Sequence, residues 1–345
     1  MHGRKVRIQD VAAAANVSVG SASRVLNRAA NVSAEVRERV ERAMAKLQYE
    51  PSHTARALRS RSSHTIGCMF SDVTNPLYAR AFRALEESFR ADGYMLLLAQ
   101  GLNDVQREVD TLRTFQARGM DGVICAPGHE RAPALVAQMN SMSMPIVLYD
   151  REMPHTRADA LLFDHVNGMK QACGRLFELG HERIALALWN AGSRPVRKRI
   201  EGYRAAYREA GLRSPELILR QATPTGSVYE ELLAMLDGLS PPTALIAQGT
   251  HILVSALRAV AKTGRKIPED FSVVSIGDSD FTQTHDPAIS ALRTNPEFVA
   301  SQAKTLLLNR LADGANLVTA PLRVTAPYEL IERGSFGPRV GATYK

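Results

Sequence analysis

The sequence predicts a small all-α N-terminal domain followed by a body of two α/β lobes with parallel sheets. Three observations carry that reading. Two short amphipathic segments within residues 8–27 are separated by the break Asn16-Val17-Ser18. Positive charge is concentrated at the front: residues 1–62 hold twelve Lys or Arg against five Asp or Glu, a surplus of seven in a chain whose net charge is +8. Near Thr65 the periodicity changes, and short apolar runs begin to alternate with helical stretches. A length of 345 residues is ample for sizeable cores in two or three domains.

The front segment reads as three helices. Ile8, Val11, Ala12 and Ala15 recur at helical spacing and can face a core. Ser18 is a good N-cap for a second helix over 19–27, whose apolar face is Ala22, Val25 and Leu26. On its other faces Val19, Gly20, Ser21 and Ser23 are small, Arg24 is the one long cation, and Asn27 and Arg28 follow. Two short helices joined by a tight turn make a helix-turn-helix, whose second helix enters the DNA major groove. An alanine-rich hairpin buried in a larger core has the same spacing, and the polar face separates the two. A buried hairpin has no use for Arg24, Asn27 and Arg28 beside small hydroxyls. A groove-reading helix has, because small residues allow close approach and a guanidinium can bond guanine edges. Ser33 can cap a third helix running to about Leu47, with Val36, Val40, Met44 and Leu47 buried. Glu35, Arg37, Glu38, Arg39, Glu41 and Arg42 form its mostly wet face.

Pro51 suits the first turn of a helix over about 51–59, but two turns are too few to be stable alone. Residues 60–63 read as a linker. The body then gives strands at 65–70, 94–99, 122–126 and 145–149 with helices between them. A helix opens near Asp164 and His165, followed by strands at 184–188, 244–247 and 271–277. This parallel βαβ succession places ligands at the carboxyl ends of the strands, and a cleft between two lobes is the natural small-molecule site.

Asp10-Val11-Ala12, Val17-Ser18-Val19 and Ser23-Arg24-Val25-Leu26-Asn27 closely resemble the N-terminal signature of the LacI/GalR family of bacterial transcriptional regulators, and the resemblance runs through nearly the whole chain. It implies a DNA-binding domain over 1–62 and an effector-binding and dimerisation body over 63–345 with the fold of periplasmic sugar-binding proteins. The lobes would be about 63–163 plus 295–321, and 164–294 plus 322–345, joined by three crossovers acting as a hinge. The DNA-binding set carried over is Ser18, Val19, Gly20, Ser21, Ser23, Arg24 and Asn27. The segment 51–59 is implied to be a hinge helix, with Leu58 wedged into the minor groove and Ala55, Arg56 and Arg59 beside it; such wedging kinks DNA.

For the effector, the resemblance implies Leu77 and Tyr78 in the loop that usually supplies an aromatic wall, and Arg199 as the ligand-binding arginine. Trp189 either stacks on a ligand or packs in the second lobe. Asp164 is either a cleft aspartate or a helix cap. The usual Gly-aromatic-Asp-Asp appears here as Gly277-Asp278-Ser279-Asp280, so the effector-binding aspartate is Asp278 or Asp280. The usual Asn-Asp pair is replaced by Gly249-Thr250. Arg194, Arg197, Lys198 and Arg199 form either a solvated basic face or a grip on an acidic or phosphorylated effector.

The expected partners are double-stranded operator DNA, a sugar or sugar acid, and a second copy of the chain, since one helix-turn-helix usually reads half of a two-fold operator. Cys68, Cys125 and Cys173 are odd in number and far apart in apolar surroundings, which fits buried free thiols in a reducing cytoplasm. The N-terminus has no secretory apolar region and no apolar run reaches membrane-spanning length. No Gly-x-Ser-x-Gly elbow, phosphate-cradling loop or His-Glu-x-x-His helix is present, so neither an enzyme nor a metal or cofactor site is expected. A solute-binding protein, or a carbohydrate-active enzyme with a DNA-binding module, is the alternative.

Overall fold

The computed structural model describes residues 6–26, 29, 32–49, 62–190, 192–222, 226–314 and 320–339. The chain forms two compact units, Met1–Ser63 and His64–Lys345. The first contains helices α1 (Ile8–Ala14), α2 (Val19–Leu26) and α3 (Ala34–Lys46). Val11, Ala12, Ala15, Ala22, Val25, Val40 and Ala43 make its core, with Val36, Met44 and Leu47 packed against it. Ser18 Oγ accepts from Ser21 N at 3.1 Å and Ser33 Oγ from Val36 N at 3.4 Å, so both expected caps are in place. Asn16 turns the chain with φ of 51°, a left-handed conformation that Asn tolerates better than most residues. One difference stands out on the third helix. Arg39, expected on its wet face, reaches Ala15 O at 3.0 and 2.7 Å and also bonds Asn16 O. It thereby supplies donors to carbonyls that the end of α1 leaves unpaired.

The second unit contains two six-stranded sheets. The first orders β11-β5-β4-β3-β1-β2 and the second β12-β10-β9-β8-β6-β7. In chain order the elements are β1 (Thr65–Phe70), α4 (Pro76–Arg90), β2 (Met95–Gln100), α5 (Val105–Ala117), β3 (Gly122–Cys125), α6 (Pro133–Ser141), β4 (Ile146–Tyr149) and β5 (Asp159–Phe163). The chain then enters the second lobe with α7 (His165–Glu178), β6 (Ile184–Trp189), α8 (Arg194–Glu209), β7 (Ile218–Gln221), α9 (Tyr229–Leu236), β8 (Ala244–Gln248), α10 (Gly249–Lys262), β9 (Ser272–Ile276), α11 (Asp280–Thr284) and β10 (Ser290–Arg293). Helix α12 (Pro296–Ala312) returns to the first lobe, and β11 (Arg323–Ala326) and β12 (Glu329–Ile331) end the described fold.

One expected boundary needs correction, and one edge strand adds to the expected parallel sheets. The return to the second lobe comes later than residue 322: Arg323–Ala326 pairs in parallel with Ala160–Phe163 of the first sheet, anchored by Leu322 N donating to buried Asp159 at 2.7 Å. The sheets are also not wholly parallel, because β12 runs antiparallel to β10 along one edge. The rest is doubly wound, and each sheet reverses its order beside its first strand, between β1 and β3 and between β6 and β8. Ligand crevices lie at the carboxyl ends of strands at such switch points.

One apolar cluster runs through both lobes, from Ile66, Phe70 and Leu85 through Leu306 to Tyr203 and Ile246. Separate clusters fill the other face of each sheet. Helices α7 and α8 pack closely because Gly202 has no side chain; a Cβ there would meet Val166 O at 2.7 Å. Tyr203 and Tyr207 bury their rings beneath β6 and satisfy their hydroxyls on Ile184 O and Glu182 O, each at 2.8 Å. Cys68, Cys125 and Cys173 are buried free thiols. Among the described residues no helix is long and apolar enough to cross a membrane, and no cluster has the composition of a metal site.

Candidate functional site

Helix α2 hides Ala22 and Val25 in the core and turns Val19, Gly20 and Arg24 to solvent. Ser23 is half-buried. Ser18 and Ser21 are partly engaged with each other, Oγ to Oγ at 2.9 Å, so their first task is to hold the start of the helix. Val19, Gly20, Ser23 and Arg24, spaced by one and four residues, share one helix face. That face has the shape expected for groove reading: small residues on the approach and one long guanidinium a turn later. Asn27, Ala55, Arg56, Leu58 and Arg59 lie outside the described residues. Arg24→Ala is expected to weaken binding to the specific operator by about 1–3 kcal/mol and to random DNA by less, as measured by fluorescence anisotropy on both. Equal losses would remove Arg24 as a base reader.

In the second unit, a cavity of about 310 Å³ lies where the two lobes meet. Asn75 caps α4 by accepting from Leu77 N at 3.0 Å and Pro76 fixes its first turn, which brings Leu77, Arg80 and Ala81 to the cavity wall. Tyr149 at the end of β4, Arg199 from α8, Asp278 after β9, the first turn of α12 and Tyr328 complete most of the lining. Arg199 is only 4% exposed, and its Nε and Nη1 have no hydrogen-bond partner among the described residues. Burial pushes the Tyr328 hydroxyl up to about 12, while the positive charge of nearby Arg199 pulls the other way.

The remaining expected residues are placed differently. Tyr78 is not a cleft wall. It is buried, stacks on Phe70 with centroids 4.9 Å apart, and accepts from Arg151 Nη2 at 3.1 Å; the cavity takes its aromatic surface from Tyr149 and Tyr328 instead. Trp189 packs against the second-lobe core. Asp164 caps α7, accepting from Asn167 N at 3.2 Å and Asn167 Nδ2 at 2.6 Å. Neither Trp189 nor Asp164 lines the cavity. Asp278 lines it, but its carboxylate is held by Arg333 at 2.9 and 2.8 Å and by Thr282 Oγ1 at 2.7 Å. Burial alone would raise the Asp278 pKa; these bonds override it and hold the group below the usual carboxylate range. Asp280 points outward and pairs with Arg80 of the first lobe, which also donates to Asp278 O at 2.8 Å.

The basic run on α8 is divided: Arg194 and Arg199 are buried, whereas Arg197 and Lys198 reach solvent and are paired with carboxylates. Glu130, in the loop after β3, is buried and accepts from Arg194 N at 3.0 and 2.9 Å and from Arg197 Nη2 at 3.0 Å. The α8 N-cap, Ser193, makes no side-chain cap bond, so a carboxylate from the opposite lobe serves the helix end, where negative charge is favoured. Lys198 pairs with Glu201. Asp150, one residue beyond β4, accepts from Phe163 N at 3.1 Å and Arg194 Nη1 at 3.1 Å, and meets His165 Nε2 at 2.9 Å. Burial would raise Asp150; His165, Arg151 and Arg199 outweigh it, and the group stays ionised. Burial likewise holds His165 down at about 4, against the pull of Asp150.

Glu130, Asp150, Arg80 and Arg333 were not singled out from the sequence. The one signal for the first two was position: both follow predicted strands at their carboxyl ends. The His165 environment predicts an acid sensitivity. Above pH 6.5 the imidazole is neutral folded or unfolded and contributes nothing. As pH falls from 6.5 towards 4, the unfolded chain takes a proton that the buried ring refuses, so folding loses up to about 3 kcal/mol. Thermal melts across that range should show a steeper fall for the wild type than for His165→Gln; parallel profiles would contradict this.

A helix-turn-helix unit joined to a two-lobed body with a buried polar cleft defines a ligand-responsive DNA-binding protein. Residues 7–52 match the family described as "Bacterial regulatory proteins, lacI family", and residues 173–336 match the "Periplasmic binding protein-like domain". The chain thus carries a lacI-family DNA-binding domain and a periplasmic-binding-like domain, and it is a DNA-binding regulator of transcription.

The HTH-type transcriptional regulator DegA of Bacillus subtilis (strain 168) is 27% identical, over 97% of this chain and 99% of its own length. The ribose operon repressor of Haemophilus influenzae is 28% identical, over 88% and 91%. These relatives are regulators, not enzymes. Among solved structures, the Lac repressor dimer bound to operator and the anti-inducer ONPF superposes with a TM-score of 0.83 over 96% of this chain and 99% of that one, at 24% identity. A complex of the transcriptional regulator CelR with cellobiose has a TM-score of 0.69 and 27% identity, over 96% and 99%.

Proposed function

We propose that this protein is a cytoplasmic, homodimeric repressor whose affinity for operator DNA is set by a polar, oxygen-rich small molecule, a sugar or sugar acid, bound between the lobes. The observation that carries the reading is Arg199. A buried guanidinium with two unpaired donors, facing a cavity between lobes, is costly unless a ligand completes it. A relative repressing a ribose operon and a similar regulator in complex with cellobiose support a carbohydrate-like effector. The proposed contacts are Arg199 and Leu77, with Tyr149 and Tyr328 as aromatic surface; Asp278 serves through its neighbours.

A ligand touching both lobes makes different contacts in their open and closed arrangements, and only such differential binding can shift the equilibrium that sets DNA affinity. The homodimer is supported by β2, an edge strand that exposes Met95, Leu97 and Leu98. An apolar exposed edge of this kind invites pairing. The test is genome-wide mapping of bound sites, followed by retardation of a fragment carrying the recovered sequence. A shared two-fold site whose retardation responds to a small molecule supports the reading; binding without sequence preference refutes it.

A further inference from the structure

We propose that the molecule held in this cleft carries an oxyanion, a carboxylate or phosphate on a monosaccharide-sized polyol, and is not a neutral sugar. The inference rests on the effector reading above and narrows it.

A neutral sugar presents hydroxyls, each a donor as well as an acceptor. Burying one needs acceptors on the protein, usually carboxylates. Around this cavity the carboxylates are already taken. Asp278 accepts from both ends of Arg333, from Thr282 Oγ1 and from Gln283 Nε2. Asp280 is turned outward onto Arg80. Asp150 is shared among Phe163 N, His165 and Arg194, and Glu130 is spent on the start of α8. The one other carboxylate in the lining, Glu297, is exposed to solvent.

The cavity therefore offers donors. Arg80 and Arg293 in the lining are balanced by Asp280 and Glu329, whereas Arg199 forms no ion pair among the described residues and keeps two donors unpaired. Asn295, Pro296 and Glu297, the cap and first two residues of the 17-residue helix α12, also line the space. They add the partial positive charge of a helix N-terminus. An oxyanion supplies acceptors for the two unpaired Arg199 donors and needs no protein acceptor. Arg matches carboxylate and phosphate geometry better than any other side chain. Leu77, Tyr149, Ile276 and Leu292 give apolar surface for a ring or carbon chain. The volume of about 310 Å³ sits at the small end of small-molecule sites, which favours a single sugar unit.

The test uses the full-length protein and two sets of probes. Calorimetry compares glucose, galactose and ribose with their aldonates and uronates and with their phosphates. A deproteinised bacterial extract, divided on an anion-exchange resin, is assayed for its effect on operator retardation. The expected result is that an acid or phosphate binds while its neutral parent binds at least about tenfold more weakly, that Arg199→Gln loses this preference, and that the active extract fraction is the one the resin retains. Carboxylate and phosphate arms then identify the group. A neutral sugar binding as tightly as its acid, or activity in the unretained fraction, overturns the inference and leaves the effector reading standing. No binding in the panel together with no active fraction overturns the effector reading itself.

Discussion

Arg310→Met is expected to destabilise the second unit by about 3–5 kcal/mol, the usual cost of leaving a buried charge without its partner. Arg310 lies on α12 and grips Asp159 at the start of β5 through both edges of its fork, Nε to Oδ2 at 2.8 Å and Nη2 to Oδ1 at 2.7 Å. Asp159 is 1% exposed, and its Oδ1 also receives Leu322 N at 2.7 Å. The same guanidinium donates to Ala320 O at 2.8 Å. One ion pair thus fastens the returning helix, the strand and the lead into β11. Methionine fills similar volume, so the loss isolates the charge rather than a cavity. Urea melts would measure it. Adding Asp159→Asn should recover much of the deficit, because the second variant removes the stranded charge. A loss below about 1 kcal/mol would mean that water reaches the pair.

Glu130→Gln is expected to loosen lobe closure and to raise the effector concentration needed for half-maximal response by about tenfold or more. Its carboxylate crosses from the first lobe to the amide of Arg194 and the guanidinium of Arg197, and each charge-assisted bond contributes about 1.5–3 kcal/mol. The substitution keeps the shape and one acceptor but removes the charge that favours the start of α8. Glu130 does not line the cavity, so the effect should reach the effector through the opening equilibrium rather than through lost contacts. X-ray scattering of the effector-free variant should show a larger radius of gyration, and effector titration should show the shift. An unchanged radius with unchanged affinity would show that other contacts between the lobes suffice.

Local patterns made much of the fold readable. Val11, Ala12, Ala22 and Val25 at helical spacing gave the small core, Ser18 and Ser33 gave the caps, and the apolar runs at 65–70 and 122–126 gave central strands buried on both faces. Edge elements were harder. Residues 290–293 and 329–331 are too short to show a period, and 323–326 joins a sheet beside residues 160–163, far back in the chain, with Leu322 N bonded to Asp159. The candidate site divides the same way. Arg199 was expected through resemblance, and it lies buried in the cavity lining. Tyr78 was misread because an aromatic residue near a loop can face either way, and the stacking partner Phe70 with the buried cation of Arg151 decides it. Asp278 and Asp280 could not be ranked from spacing; their arginines come from residues 333 and 80, and no local pattern links them.

The central claim is that a small molecule held by Arg199 sets DNA affinity. It is tested most directly by operator titration of the wild type and Arg199→Met, each with and without the effector recovered above. The effector is expected to shift the wild-type curve by about tenfold or more, within the usual range of coupling free energies, while the two Arg199→Met curves superimpose. Arg199→Met is also expected to melt no lower than wild type in the absence of effector, since the substitution removes a buried charge with unpaired donors. An Arg199→Met protein that still responds in full to the effector would contradict the account.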